Sequence, residues 1–236
     1  MGRRGGALHT ETERPWVRHG RGSYFAGPMG TDVLAGFDKT TFTFGGKTRD
    51  VYRMGSGPAV IVNAEMPGIT PKVIEWLRAL ARSLHEECGG PGVGVVGMCF
   101  TGGFALAMMA DAPVLAPVLS QPSLPFGIGA KRKRDLGLSD ADLDKVKVKC
   151  AAEDLTVLGL RFSGDRFVPP ERFGHLREAL GDRFVGVEID SSKGNAWGHR
   201  AQAHSVLTED LQDTPGTPTR DALDQVLDLF RKRLLT

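Results

Sequence analysis

Three residues in this chain could together carry nucleophilic acyl chemistry: Cys99, Asp165 and His204. Cys99 follows the apolar run 93–98, Asp165 follows the apolar run 155–162, and His204 lies in the polar stretch before the last helical segment. A thiolate attacks a carbonyl, a histidine takes the thiol proton and returns it to the leaving group, and a carboxylate fixes the tautomer of that histidine. His199 is the alternative base. His204 is favoured because Ser205, Val206 and Leu207 follow it with an apolar step that could anchor the ring, whereas His199 sits in a Gly- and Trp-containing polar stretch. Each residue also has a plainer reading. Cys99 could be a small buried hydrophobe at a strand end, and Asp165 a turn cap before Pro169 and Pro170.

The elements around Cys99 are what make the chemical reading attractive. Val93–Met98 is a short unbroken apolar run, the pattern of a strand covered on both faces. Gly97, Cys99, Thr101, Gly102 and Gly103 then form a sharp turn into an apolar helix. A turn that exposes a nucleophile needs small residues where strand and helix pass closely, a role that suits Gly97 better than Thr101. The first amides of the new helix would favour negative charge at the thiol and offer donors to an oxyanion. Gly92, Gly94 and Gly97 also spell a G-x-G-x-x-G string. Because these glycines precede and occupy the strand instead of opening a helix, a dinucleotide site is not indicated.

The rest of the chain reads as the frame for these residues. Thr41–Phe44 and Arg49–Arg53, separated by a turn at Gly45 and Gly46, predict a hairpin. Ala59–Asn63 predicts a strand running into the loop of Glu65 and Met66. Pro71 starts a helix with Val73, Leu77, Leu80, Leu84 and Cys88 on one face, ended by Gly89 and Gly90. Ala112–Leu119 is a strand, Ser139–Cys150 a helix capped by Ser139, Pro170–Leu180 a helix, Phe184–Ile189 the last strand, and Asp221–Leu235 a closing amphipathic helix. Lys131–Arg134 reads as a solvated loop.

With 236 residues, 41% hydrophobic content and a net charge of +2, one substantial core is affordable, and neither nucleic acid nor an anionic membrane is implied as a partner. The three cysteines have neither metal-ligand spacing nor disulfide-scaffold density, so no metal and a reducing, cytoplasmic setting are expected. No apolar run is long enough to span a bilayer, and the Gly- and Arg-rich start lacks a signal-peptide core. Residues 1–36 are expected to be a poorly ordered tail before a single domain over 37–236.

The chain resembles the dienelactone hydrolase (carboxymethylenebutenolidase) family of α/β-hydrolases from about Thr40 to the C-terminus. The resemblance rests on Gly97 with Cys99 and Phe100, on Gly164, Asp165, Phe167, Val168, Pro169 and Pro170, on Ala203, His204 and Ser205, and on the last helix with Phe230. The chain order nucleophile, acid, histidine is also that of α/β-hydrolase triads. The resemblance implies a mostly parallel central sheet of about seven strands with helices on both faces. It also implies hydrolysis of small esters or lactones by a Cys99–His204–Asp165 triad without cofactor, by a monomer or homodimer. It would put Glu65 next to the thiol, where the residues alone suggest a solvated carboxylate, and make the amides of Met66 and Phe100 the oxyanion donors. One departure is large. Between Asn63 and the Cys99 strand the family carries helix, strand, helix and a long loop, while this chain has one helix. Neighbouring elements must then close up or leave unpaired backbone, and the lost loop carries residues that hold a substrate carboxylate. Thr208 stands where the family's second carboxylate-binding arginine is expected. The alternative reading is therefore a non-catalytic or defective hydrolase-like protein.

Overall fold

The computed structural model describes residues 36–63 and 71–235. The expected tail lies, apart from Gly36, outside the described residues, and every element belongs to the unit that begins at Asp38. In chain order the elements are β1 (Asp38–Phe44), β2 (Lys47–Arg53), β3 (Val60–Asn63), α1 (Pro71–Cys88), β4 (Val93–Met98), α2 (Gly102–Met109), β5 (Val114–Ser120), α3 (Gly129–Arg134), α4 (Asp140–Ala152), β6 (Val157–Phe162), α5 (Pro170–Leu180), β7 (Phe184–Ile189) and α6 (Pro218–Leu234).

Five strands form one parallel sheet in the order β3-β4-β5-β6-β7. The continuous apolar runs occupy its centre, where both faces are covered; all six residues of β6 are buried. Alternation along each strand separates two cores. Val95, Val157 and Phe184 join α1, α2, α4 and α5 in one of them. Val96, Val118, Leu158, Leu160 and Ile189 join Ala222 and Val226 of α6 in the other. The closing helix starts at Pro218, earlier than Asp221, because proline at its first position needs no amide partner there.

The sheet differs from the expected seven strands. β1 and β2 pair only with each other, with Phe44 opposite Lys47 across Gly45 (φ 57°) and Gly46 (φ 72°), a two-residue turn that glycine adopts without strain. β3, meanwhile, ends the parallel sheet as an edge strand, with Val62 60% exposed. Between β3 and β4 the described chain supplies α1 and no further strand, so nothing there bridges hairpin and sheet. The hairpin docks on α1 instead. Phe42 packs edge-on against Trp76 with ring centres 5.3 Å apart, and Trp76 Nε1 donates to Lys47 O at 3.3 Å. This second layer explains why α1 buries Ile74 and Trp76 beside the expected Leu77 and Leu80.

The basic run is not a loop. Lys131–Arg134 forms most of α3, where Lys133 pairs with Glu171 at 3.2 Å and Arg134 with Glu178, both on α5. Alanine, lysine and arginine are good helix formers, and the α5 carboxylates supply the charges a lone basic turn lacks. Ser139 caps α4 as its type suggests, accepting from the amide of Asp142 at 3.1 Å.

Candidate functional site

Parallel register brings Asn63 opposite Gly97, Met98 opposite Ser120, and Phe162 opposite Ile189, so the carboxyl ends of the strands form one rim. Ligand sites of open α/β sheets are built on that rim. Cys99 leaves it first. Its φ is 53°, left-handed and costly for a residue with a Cβ, and it opens a single 3₁₀ turn, Cys99–Thr101, that runs into the wholly buried α2. The close approach there needs glycine: a Cβ on Gly97 would lie 2.2 Å from Thr101 O, and one on Gly102 2.4 Å from Pro122 Cα. Gly97→Ala should therefore lower Tm by roughly 3–10 °C in a thermal melt, the effect of overpacking against backbone that cannot yield.

Thr101, the weaker fit in sequence, has a specific job. Its hydroxyl accepts from the Met98 amide at 3.0 Å and lies 2.8 Å from Met98 O and 2.9 Å from Asn63 O, either of which can take its single proton. It ties the turn to the end of β3. The Ser123 amide fixes the far side by donating to Cys99 O at 2.9 Å.

Asp165 and His204 come from elements far apart in sequence and meet at this rim. His204 Nδ1 is 2.7 Å from Asp165 Oδ2, and the other carboxylate oxygen accepts from the Phe167 amide at 2.9 Å. Burial works to lower the basicity of His204, but hydrogen bonds to Asp165 and Cys99, with the charges of those groups, raise it to about 10. Both partners therefore favour the charged form of the ring. His199 is elsewhere: its buried ring lies against Phe162 at 5.0 Å, and burial lowers its pKa. Its Nε2 has no hydrogen-bond partner, while its backbone is clamped by Asn195, which accepts from His199 N at 3.0 Å and donates to His199 O at 2.8 Å. Phe100 is the second residue of the 3₁₀ turn, directly after the thiol. Glu65 and Met66 lie outside the described residues.

Three residues that the sequence reading passed over hold these groups in place. Asp210 accepts from the amides of His204 (2.8 Å) and Ser205 (3.1 Å) through one oxygen and from Arg200 Nη2 (2.7 Å) through the other, so the histidine loop is wound around a carboxylate. Arg161, inside the apolar β6, donates to Val168 O at 3.2 Å and Ser163 O at 3.3 Å, bracketing the Asp165 turn, and pairs with Glu188. Gln121, with φ 36°, is wholly buried and accepts from the Val206 amide at 3.4 Å and from the Ser120 hydroxyl. An arginine within a strand pattern was the only sequence signal among them, since a cation there must find partners.

Among the described residues, no group of three or more His, Cys, Asp or Glu side chains is placed to hold a metal ion. None of the described helices is long and apolar enough to cross a membrane.

No protein-family profile and no curated protein matches the sequence. Solved structures do. A Klebsiella pneumoniae protein described as a dienelactone hydrolase is 15% identical with a TM-score of 0.52, over 83% of this chain and 98% of that one. A Lactobacillus plantarum protein described as a carboxylesterase is 9% identical with a TM-score of 0.51, over 82% and 97%. An esterase/lipase from an uncultured bacterium is 14% identical with a TM-score of 0.51, over 89% and 95%. At these identities the likeness is one of fold.

Proposed function

We propose that this chain, whose fold is that of the α/β-hydrolases, hydrolyses small esters or lactones with Cys99 as nucleophile, His204 as acid and base, and Asp165 as the group that orients His204. The observation that carries the reading is one histidine bonded to both a strained strand-end cysteine and a buried carboxylate. The names of the structural neighbours agree with it. In the first half-reaction Cys99 Sγ bonds to the carbonyl carbon, and the Phe100 amide donates to the developing oxyanion. The carbon–oxygen bond then breaks, and the alcohol leaves with the proton of the His204 imidazolium. In the second half-reaction water attacks the thioester, His204 accepts a water proton, and the carbon–sulfur bond breaks to release the acid and restore the thiolate. No metal or cofactor enters these steps.

The test is turnover of p-nitrophenyl acetate and a lactone panel by the parent and by Cys99→Ala. The expected result is turnover by the parent that falls by roughly 10³-fold or more in the variant. Equal rates from both proteins, or none from the parent, would remove the proposal.

A further inference from the structure

Two ring pairs neighbour the reacting groups. Phe126 packs edge-on against Phe100 with centres 5.6 Å apart, and Phe100 is the residue after Cys99. On the other side Phe167 packs edge-on against the His204 ring, also at 5.6 Å, and its amide is bonded to Asp165. The two outer rings are left open to solvent, Phe126 by 44% and Phe167 by 55%. They belong to segments that touch: a Cβ on Gly127 would lie 3.1 Å from Pro169 Cγ. Exposed apolar side chains that lie together, unlike those scattered singly, mark ligand or partner sites. Arg166, between Asp165 and Phe167, is exposed, while two further cations near this rim are engaged. Lys133, whose stem flanks Gly127, pairs with Glu171, and Arg172 is enclosed by backbone carbonyls.

Resting on the hydrolase reading above, the geometry points to an ester bearing an aromatic ring as the substrate, with that ring held between Phe126 and Phe167 while its carbonyl meets Cys99. Edge-to-face contact suits a flat ring on either wall, and the phenyl rings themselves carry no charge for a carboxylate. Phe126 and Phe167 are therefore specificity-determining residues. Neither was singled out for this by the sequence, because ring contacts between residues 26 and 37 positions apart leave no periodicity.

The experiment compares three methyl esters, which share one leaving group: methyl phenylacetate, methyl acetate and monomethyl succinate, followed by pH-stat in the parent, Phe126→Ala and Phe167→Leu. The parent should favour methyl phenylacetate over methyl acetate by roughly tenfold or more in kcat/KM, mainly through KM, and over the anionic ester by at least as much. Each variant should reduce that ratio by about threefold or more. Comparable kcat/KM for all three esters, a ratio unmoved in both variants, or preference for the succinate, as a cation such as Arg166 would give, overturns the inference and leaves the hydrolase reading intact. A parallel arm needs no turnover: phenylacetamide, but not acetamide, should protect Cys99 from iodoacetamide. Protection of that kind in a protein that cleaves none of the esters would support the ring site and remove the hydrolase reading.

Discussion

Iodoacetamide should alkylate Cys99 about 30-fold more slowly at pH 7 in His204→Gln than in the parent, and ester turnover should fall by roughly 10²–10⁴-fold. The argument starts from charge. Burial opposes it, but hydrogen bonds to Asp165 and Cys99 and the charges of those groups raise His204 to about 10, so the sulfur faces a ring whose charged form is favoured. Glutamine fills similar space and can bond Asp165, but it carries no charge and exchanges no proton. The charged neighbour and proton acceptor that activate a thiol nucleophile would then be gone. Peptide mass spectrometry separates Cys99 from Cys150, whose buried thiol is pushed up to about 11 and should stay unlabelled in both proteins. Labelling of Cys99 at the same rate in parent and variant would show that the pair does no chemical work.

The same linkage sets the pH dependence of stability. An unfolded histidine titrates near 6.5, and the folded value of His204 lies above it, so its contribution is present in full below about pH 6.5 and is lost as pH rises through about 10. Thermal melts of the parent should decline over that window, and those of His204→Gln should decline less. Equal slopes would contradict the raised value.

Arg172→Met should lower Tm by roughly 10 °C and raise KM for the aryl ester. Arg172 lies on α5 with 1% of its surface exposed, and its guanidinium is bonded to Pro122 O (2.6 Å), Asp135 O (2.8 Å), Arg132 O (3.3 Å) and Pro125 O. Burial lowers its pKa to about 10, which leaves it cationic at neutral pH. Methionine matches much of the volume but supplies no donor, and each buried carbonyl left unpaired costs about 1–3 kcal/mol. Those carbonyls belong to the segment that carries Ser123, which holds Cys99 O, and Phe126, which walls the site. A loss of stability with an unchanged KM would mean that the segment keeps its shape without the arginine.

Much of this molecule was legible in its residues. The unbroken apolar run at 93–98 is a buried parallel strand because a strand covered on both faces has no polar face to show. Gly97 and the glycines behind Cys99 marked the tight turn because a Cβ there has no room. The order cysteine, aspartate, histidine was visible too, because Cys99 and Asp165 stand just past strands whose ends are signalled locally. Tertiary structure decided the rest. Which histidine reaches Asp165 depends on how the stretch after β7 winds around Asp210, a long-range contact that leaves no periodicity. The sheet stops at β3 because strand pairing is non-local, and only the assembled chain shows the hairpin resting on Trp76. Arg161 and Arg172 are buried charges, one in an apolar strand and one in α5. Their partners are backbone carbonyls of distant loops, which every residue carries and which composition therefore cannot reveal.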